Sequence, residues 1–490
     1  MTHRPAKILR TVCLLISLTL VFAIFAGCEQ YAEEISSAAT SSERPLVRFP
    51  DDGGGYHTET KPNLLGYKMS FAVSDVSLII PEEGESVEGD LKLEQFRGVQ
   101  SELSCEITVK FVDDWDEVLA AVIAGEEYAQ VIMPPMSQAG GFIGAGVCTD
   151  LSEYLPLGQA EWYREAKNAL TFGSKTYATI SSFSSPMLRT SIVLFNAEML
   201  KRDLGMMPER LYELWENNTW TWDVLAGYSK TAVEKNFGGK ADSLEDKWGF
   251  VYDSGALTPL IYSAGLAFVD TEGEKPAFGL NNEQAVIALK KLNQLFAKDG
   301  LGCPERLLNE ETTAKRLFVD GKALFYLTTL NSITTTEIRD MDQDWGLLPT
   351  PLGPAQDGAR RNKYVSNIGG DVELCMIPTT VNDKKSTAIV LEELNSDVWM
   401  VSNKEIETIV TLYARDDKSV EIADSLNSGV ITLDTSLLFG GKDSSKNKWE
   451  SSVGAFLKKL ETEPGLDVGK EAKNCAAAAK KIIDGLFSKK

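Results

Sequence analysis

The sequence predicts an α/β fold in which a mainly parallel sheet is covered by helices. Short apolar, β-branched stretches alternate with amphipathic runs, and Pro or Gly breaks separate them. Hydrophobic residues make up 43% and charged residues 24% of the 490, the balance of a soluble globular chain rather than a disordered or multi-span one. Residues 69–80 are apolar and β-branched enough for one or two strands, and Pro81-Glu82-Glu83-Gly84 breaks them. Asp90 then opens an amphipathic run with Leu91, Leu93, Phe96, Val99 and Leu103, followed by strand-like residues 107–112. Asp116 is placed to cap a short helix with Val118, Leu119, Val122 and Ile123 on one side. Residues 130–133 form the next strand, stopped by Pro134-Pro135, and a glycine-rich stretch at 140–146 precedes Asp150-Leu151-Ser152.

Further on the pattern becomes more helical. Residues 196–204 read as a helix ended by Gly205, with further helices at 211–215 and 222–233. The clearest helix is 281–297, where Ala285, Ile287, Ala288, Leu289, Leu292, Leu295 and Phe296 make a wide apolar face behind Asn281 as cap. Trp220 and Trp222, just ahead of a helix, read as core or staple residues rather than a stacking platform. No tandem repeat is present.

Charge and histidine content exclude several function classes. The chain has 49 Lys and Arg against 71 Asp and Glu, a formal net charge of −22. Nucleic acid as a partner demands clustered basic residues, so that class is set aside. The two histidines are His3, at the terminus, and His57, in a polar stretch. A Ser-His-Asp triad, a Cys-His pair and a His-zinc site each need a histidine held in a folded site, so these three are set aside, and no catalytic residue, cofactor or metal is assigned. Gly173-Ser174-Lys175-Thr176 ends like a phosphate loop, but Ser174 stands where that loop needs glycine. The acidic run at 340–346 begins like a calcium loop, but its glycine comes one place late and Pro351 replaces the bidentate Glu; it reads as an exposed turn before a strand.

The N-terminus reads as a secretory signal over residues 1–27. His3, Arg4, Lys7 and Arg10 precede an apolar run at 12–25, which ends at Ala26-Gly27-Cys28. That run, about fourteen residues, is shorter than the roughly 20 of a spanning helix. The small pair before a cysteine resembles a bacterial lipobox, which makes Cys28 the lipidated first residue of the mature chain, acylated by fatty acid such as palmitate. Residues 28–66 are mostly Ser-, Gly- and Glu-rich and read as a flexible tether. Loss of Arg4, Lys7 and Arg10 removes three positive charges, so −22 becomes −25. The remaining cysteines (Cys105, Cys148, Cys303, Cys375 and Cys475) are odd in number and far apart, which rules out a full disulfide framework and a zinc cluster. Cys105, Cys148 and Cys375 have apolar neighbours and read as buried.

A series of short motifs in a fixed order resembles extracellular solute-binding protein family 1, the carbohydrate-type receptors of bacterial ABC importers. Ala129-Gln130-Val131-Ile132-Met133 is followed by Gly146-Val147-Cys148-Thr149-Asp150-Leu151 and by a crossover-like strand, Lys175-Thr176-Tyr177-Ala178-Thr179-Ile180. Leu194-Phe195-Asn196-Ala197-Glu198-Met199-Leu200 and Asn218-Thr219-Trp220-Thr221-Trp222-Asp223 come next. Phe318-Val319-Asp320-Gly321-Lys322-Ala323-Leu324-Phe325, Trp345-Gly346-Leu347-Leu348-Pro349-Thr350-Pro351, Ile377-Pro378 and Ala414-Arg415-Asp416-Asp417-Lys418-Ser419 complete the series.

The resemblance implies a two-lobed periplasmic-binding-protein-like fold, with mixed sheets flanked by helices and a hinge crossed three times. It places lobe 1 at 67–181 plus 350–402 and lobe 2 at 182–349 plus 403–490. It implies a monomeric lipoprotein on the outer side of the cell membrane that captures a small solute, a saccharide first of all, and delivers it to permease subunits. The ligand positions it suggests are Asp75, Met136, Ser137 and Gln138 in lobe 1, and Ser182, Phe183 and Ser184 at the crossover. In lobe 2 they are Asp253, Thr328, Thr329 and Asn331. Where many sugar-binding relatives carry a Trp after the strand that ends near Thr329, this chain has Leu330-Asn331. The alternatives are a receptor-fold lipoprotein acting in sensing or adhesion, and a secreted glycoside-acting enzyme built on two carboxylates.

Overall fold

The computed structural model describes residues 61–158, 167–237, 243–271, 275–354, 363–440 and 448–487. The signal segment, Cys28 and the tether up to residue 60 lie outside the described residues.

The first lobe is built on β1 (Tyr67–Val73), α1 (Val87–Leu103), β2 (Cys105–Phe111), α2 (Trp115–Ile123), β3 (Val131–Met133) and α3 (Met136–Ala145). Its strands form a parallel sheet in the order β2-β1-β3, with Phe71 between Val109 and Val131. Its central strand is buried without interruption from Met69 to Val73, as expected when helices cover both faces of a parallel sheet. Two caps differ from the expected ones. Ser86 starts α1 by accepting from the Gly89 N–H, so the helix begins before Asp90. Asp114, not Asp116, caps α2 by accepting from the Asp116 N–H at 2.9 Å.

After β4 (Thr179–Ile180) the chain enters a second, four-stranded sheet. There β5 (Ser191–Asn196) leads to α4 (Ala197–Leu204), α5 (Glu209–Glu216), α6 (Trp222–Phe237), β6 (Trp248–Tyr252), α7 (Leu257–Ser263), α8 (Glu283–Asn293), α9 (Ala314–Val319), β7 (Ala323–Thr329) and β8 (Trp345–Pro349). The sheet order is β8-β5-β7-β6, and β5 runs antiparallel to both neighbours. The expectation of a mainly parallel sheet therefore holds in the first lobe and gives way in the second. The reason is topological: β5 enters its sheet from the crossover, whereas β6, β7 and β8 leave toward it. Asn196 caps α4 through the Met199 N–H at 2.7 Å, and Gly205 ends it with φ +64. Asn282 rather than Asn281 caps α8, and Ile287 lies outside the buried face at 51% exposure.

The rest of the chain holds β9 (Val365–Ile368), β10 (Leu374–Cys375), α10 (Lys384–Tyr413), α11 (Asp417–Ser428), β11 (Val430–Leu433), α12 (Ala455–Thr462) and α13 (Val468–Phe487). The short β10 pairs with β4, and β9 pairs in parallel with β11. The 30-residue α10 is unbroken, packing on α1 and also on α11. A first core gathers Phe71, Val99, Val131, Ile377 and Leu391; a larger one gathers Trp220, Trp248, Phe250, Phe325 and Trp345. Trp220 donates from Nε1 to the Pro349 carbonyl at 2.9 Å and Trp222 to Ser263 Oγ at 3.1 Å, so both are core residues. Cys148, Cys303, Cys375 and Cys475 are buried free thiols, and burial pushes Cys375 up to about 12. Cys105 was expected to be buried and is only half-covered, because it begins the edge strand β2.

One buried carboxyl makes stability depend on pH. Glu461 in α12, with its side chain 9% exposed, is raised by burial and then by the Glu305 charge from 4.5 to about 7, against the opposing pull of Lys458. The folded chain therefore holds this proton more tightly than the unfolded chain. The stability it contributes is present at acid pH and falls as pH rises from 4.5 to 7. Glu461→Gln is expected to raise the melting temperature at pH 8, by an amount corresponding to about 3 kcal/mol, and to converge with the parent near pH 4.5. A gap of equal size at both pH values would contradict the assignment.

Candidate functional site

Strand direction gathers the site. Asp253 follows β6, Thr328 and Thr329 close β7, Thr350 follows β8, Asn367 lies near the end of β9, and Asp434 follows β11. Because β5 is antiparallel, its first residue, Ser191, lies at the same edge. These ends and the crossover segment surround a cavity of about 620 Å³, in the size range of small-molecule sites and in the crevice at strand ends where α/β sheets bind ligands.

The wall is rich in short polar side chains held in fixed positions. Asp253 accepts from the Tyr326 hydroxyl at 2.7 Å and from Thr328 Oγ1 at 2.6 Å, and Thr328 Oγ1 lies 2.5 Å from Ser332 Oγ. Burial, followed by the Asp253 charge, raises the Tyr326 phenol, so it remains a proton donor to Asp253. Thr350 Oγ1 donates to the Ser191 carbonyl at 3.2 Å. Asn367 donates from Nδ2 to Thr432 Oγ1 at 3.0 Å, while its Oδ1 has no partner among the described residues. Burial raises the Asp434 carboxyl, which accepts from the Ser436 N–H and hydroxyl, each at 3.0 Å. Arg189 also lines the cavity. Beside it, Glu373 is raised by burial and opposed by the Arg189 charge. Among the described residues lining the cavity there is no Phe, Tyr or Trp. Among the described residues no cluster of His, Cys, Asp and Glu is arranged to hold a metal ion.

Five of the sequence-derived candidates come together here: Ser184, Asp253, Thr328, Thr329 and Asn331. The structure places the others off the lining. Met136 is wholly buried in the core, and Phe183 is buried edge-on to Phe71 at 6.0 Å. The buried Ser182 donates its N–H to Asn395 Oδ1 at 3.0 Å. Ser137 donates from N and Oγ to the Asp371 carboxylate at 2.8 and 2.7 Å, and Gln138 lies beside it in the first turn of α3. Asp75 accepts from the Ser77 N–H at 2.8 Å and caps a short turn. Sequence reasoning missed Arg189, Asn367 and Asp434. The rule that ligands meet loops after strands applies to Asn367 and Asp434, but the strands at 365–368 and 430–433 are only four residues long and are not legible as strands in the sequence. The Arg415-Asp416-x-x-Ser419 motif proves architectural: Arg415 donates to the Arg339 and Met341 carbonyls, Asp416 caps α11 and accepts from Tyr212, and Ser419 Oγ accepts from the Leu347 N–H.

The model of the bacterial extracellular solute-binding protein family matches residues 104–387, more than half of the chain, and the chain belongs to that family. The family consists of extracellular binding proteins rather than enzymes. No curated protein matches the chain by sequence. Among solved structures, UspC of M. tuberculosis is similar at TM-score 0.58 and 15% identity, covering 85% of this chain and 100% of that one. A cyclo/maltodextrin-binding protein complexed with maltotetraose is similar at TM-score 0.56 and 14% identity, covering 87% and 98%. The GacH receptor of Streptomyces glaucescens, solved unliganded and with acarbose, is similar at TM-score 0.52 and 14% identity, covering 86% and 99%. These likenesses establish the two-lobed binding-protein fold.

Proposed function

We propose that the chain is a lipid-anchored receptor that captures a saccharide in the cavity at the lobe junction and hands it to the permease of an ABC importer. The observation that carries the saccharide reading is the wall itself: Ser, Thr and Asn side chains alternate with carboxylates held by their own hydrogen-bond partners, a surface suited to paired hydroxyls. The maltotetraose complex of one structural relative and the acarbose complex of another support it. Cys28 would carry the lipid, and residues 28–66 would give the reach from membrane to permease. The lobes would comprise 67–181 plus 350–402 and 182–349 plus 403–490, closing over the solute about the crossings. A thermal-shift panel of mono- and oligosaccharides is expected to raise the melting temperature for a small subset. A shift with peptides alone and with no saccharide would contradict the reading.

A further inference from the structure

One corner of the cavity consists of proton acceptors that the chain itself leaves short of donors. In β9 and β11, Asn367 stands opposite Thr432 and Ile368 opposite Leu433, and the Asp434 N–H donates to the Ile368 carbonyl at 3.0 Å. This register puts Asn367 and Asp434 together where both strands end at the cavity. Asn367 is 0% exposed, and among the described residues its Oδ1 has no hydrogen-bond partner. Asp434 is buried, and among the described residues its oxygens accept from Ser436 alone. Among the described residues no cation pairs with it. A buried carboxylate and an orphaned amide oxygen side by side are unfavourable unless something from outside supplies protons.

The surroundings have the same sign. Asp253 is a second carboxylate on the lining, and Arg189 is the single cationic side chain among the described lining residues. The charge of Arg189 acts on Glu373, where Asp371 and Asp75 add further negative charge. Among the described lining residues acid is in excess, which disfavours an anionic solute. Among the described lining residues there is no aromatic ring to grip the apolar face of a sugar, so recognition there falls to donors and acceptors around its edge.

We propose that the Asp434–Asn367 corner is a subsite for a protonated amine, and that the captured solute is an amino saccharide whose amino group is free rather than acylated. This inference rests on the saccharide-binding role proposed above. An ammonium group carries three N–H donors and a positive charge, and satisfies Asp434 and Asn367 Oδ1 together; a single hydroxyl has one proton to give. N-acetylation removes the charge and two of the donors.

The test is calorimetric titration of the purified chain with glucosamine and its disaccharide, their N-acetylated counterparts, glucose, maltose and putrescine. A free amino saccharide is expected to bind at least tenfold more tightly than its N-acetylated and neutral counterparts. Asp434→Asn is expected to weaken the free amine at least tenfold and to change the N-acetylated form less than twofold. The wild-type comparison decides the matter if the variant does not fold. Equal or tighter binding of N-acetylated or neutral sugars overturns the subsite and leaves the saccharide role standing. Binding of putrescine with no saccharide overturns the saccharide role, and the amino-saccharide assignment with it. Failure of every free amine to bind overturns the inference.

Discussion

Replacing Gly140 by alanine is expected to destabilise the fold by about 3 kcal/mol, a large effect for one methyl group. Gly140 lies in α3 of the first lobe, pressed against the turn that follows β11. A Cβ there would meet the Leu438 carbonyl oxygen at 2.0 Å and its carbon at 3.0 Å. The opposing atoms are backbone, so no rotamer change relieves the contact and the turn must move. That turn continues from Asp434 and Ser436, so saccharide affinity is expected to fall along with stability. Gly144, one turn along, is the control: its Cβ would meet Leu486 Cδ1 at 3.0 Å, a side-chain atom free to shift, and alanine there is expected to change stability by less than about 1 kcal/mol. Urea unfolding of both variants checks the pair, and equal midpoints for Gly140→Ala and the parent would contradict the packing account.

Replacing Asp253 by alanine is expected to weaken saccharide binding at least a hundredfold, about 3 kcal/mol. The carboxylate ends β6 inside the cavity, and its two oxygens are fixed by Tyr326 and Thr328. Asp253 lines the cavity, so these partners hold the carboxylate in place before a solute arrives. Alanine also strands the Tyr326 hydroxyl on a residue only 2% exposed, so a loss of stability of about 1–2 kcal/mol accompanies the binding defect. Asp253→Asn keeps the shape and one acceptor oxygen and is expected to lie between the two in both measurements. A variant with lowered stability and parental affinity would make Asp253 a purely structural residue.

What the sequence revealed of this site follows from how local its signals are. The α/β class was legible because apolar strands and amphipathic helices alternate over short windows, and Asn196 with Gly205 bounded α4 as read. Asp253, Thr328, Thr329 and Asn331 were legible because each sits in or after a recognisable strand or motif. The antiparallel course of β5 was not, since strand direction within a sheet depends on where the crossover delivers the chain. Met136 and Phe183 were misplaced for a related reason: position near a strand end does not say which face a side chain takes, and both turn into the core. Asn367 and Asp434 come together only through the pairing of β9 with β11, between residues far apart in the chain.

The most direct test of solute capture at this cavity is calorimetric titration of the parent chain and Asp253→Ala, side by side, with the saccharide that gives the largest thermal shift. The account predicts one site per chain in the parent and loss of at least a hundredfold in affinity in the variant. Equal affinity in the two chains would place the solute elsewhere and contradict it.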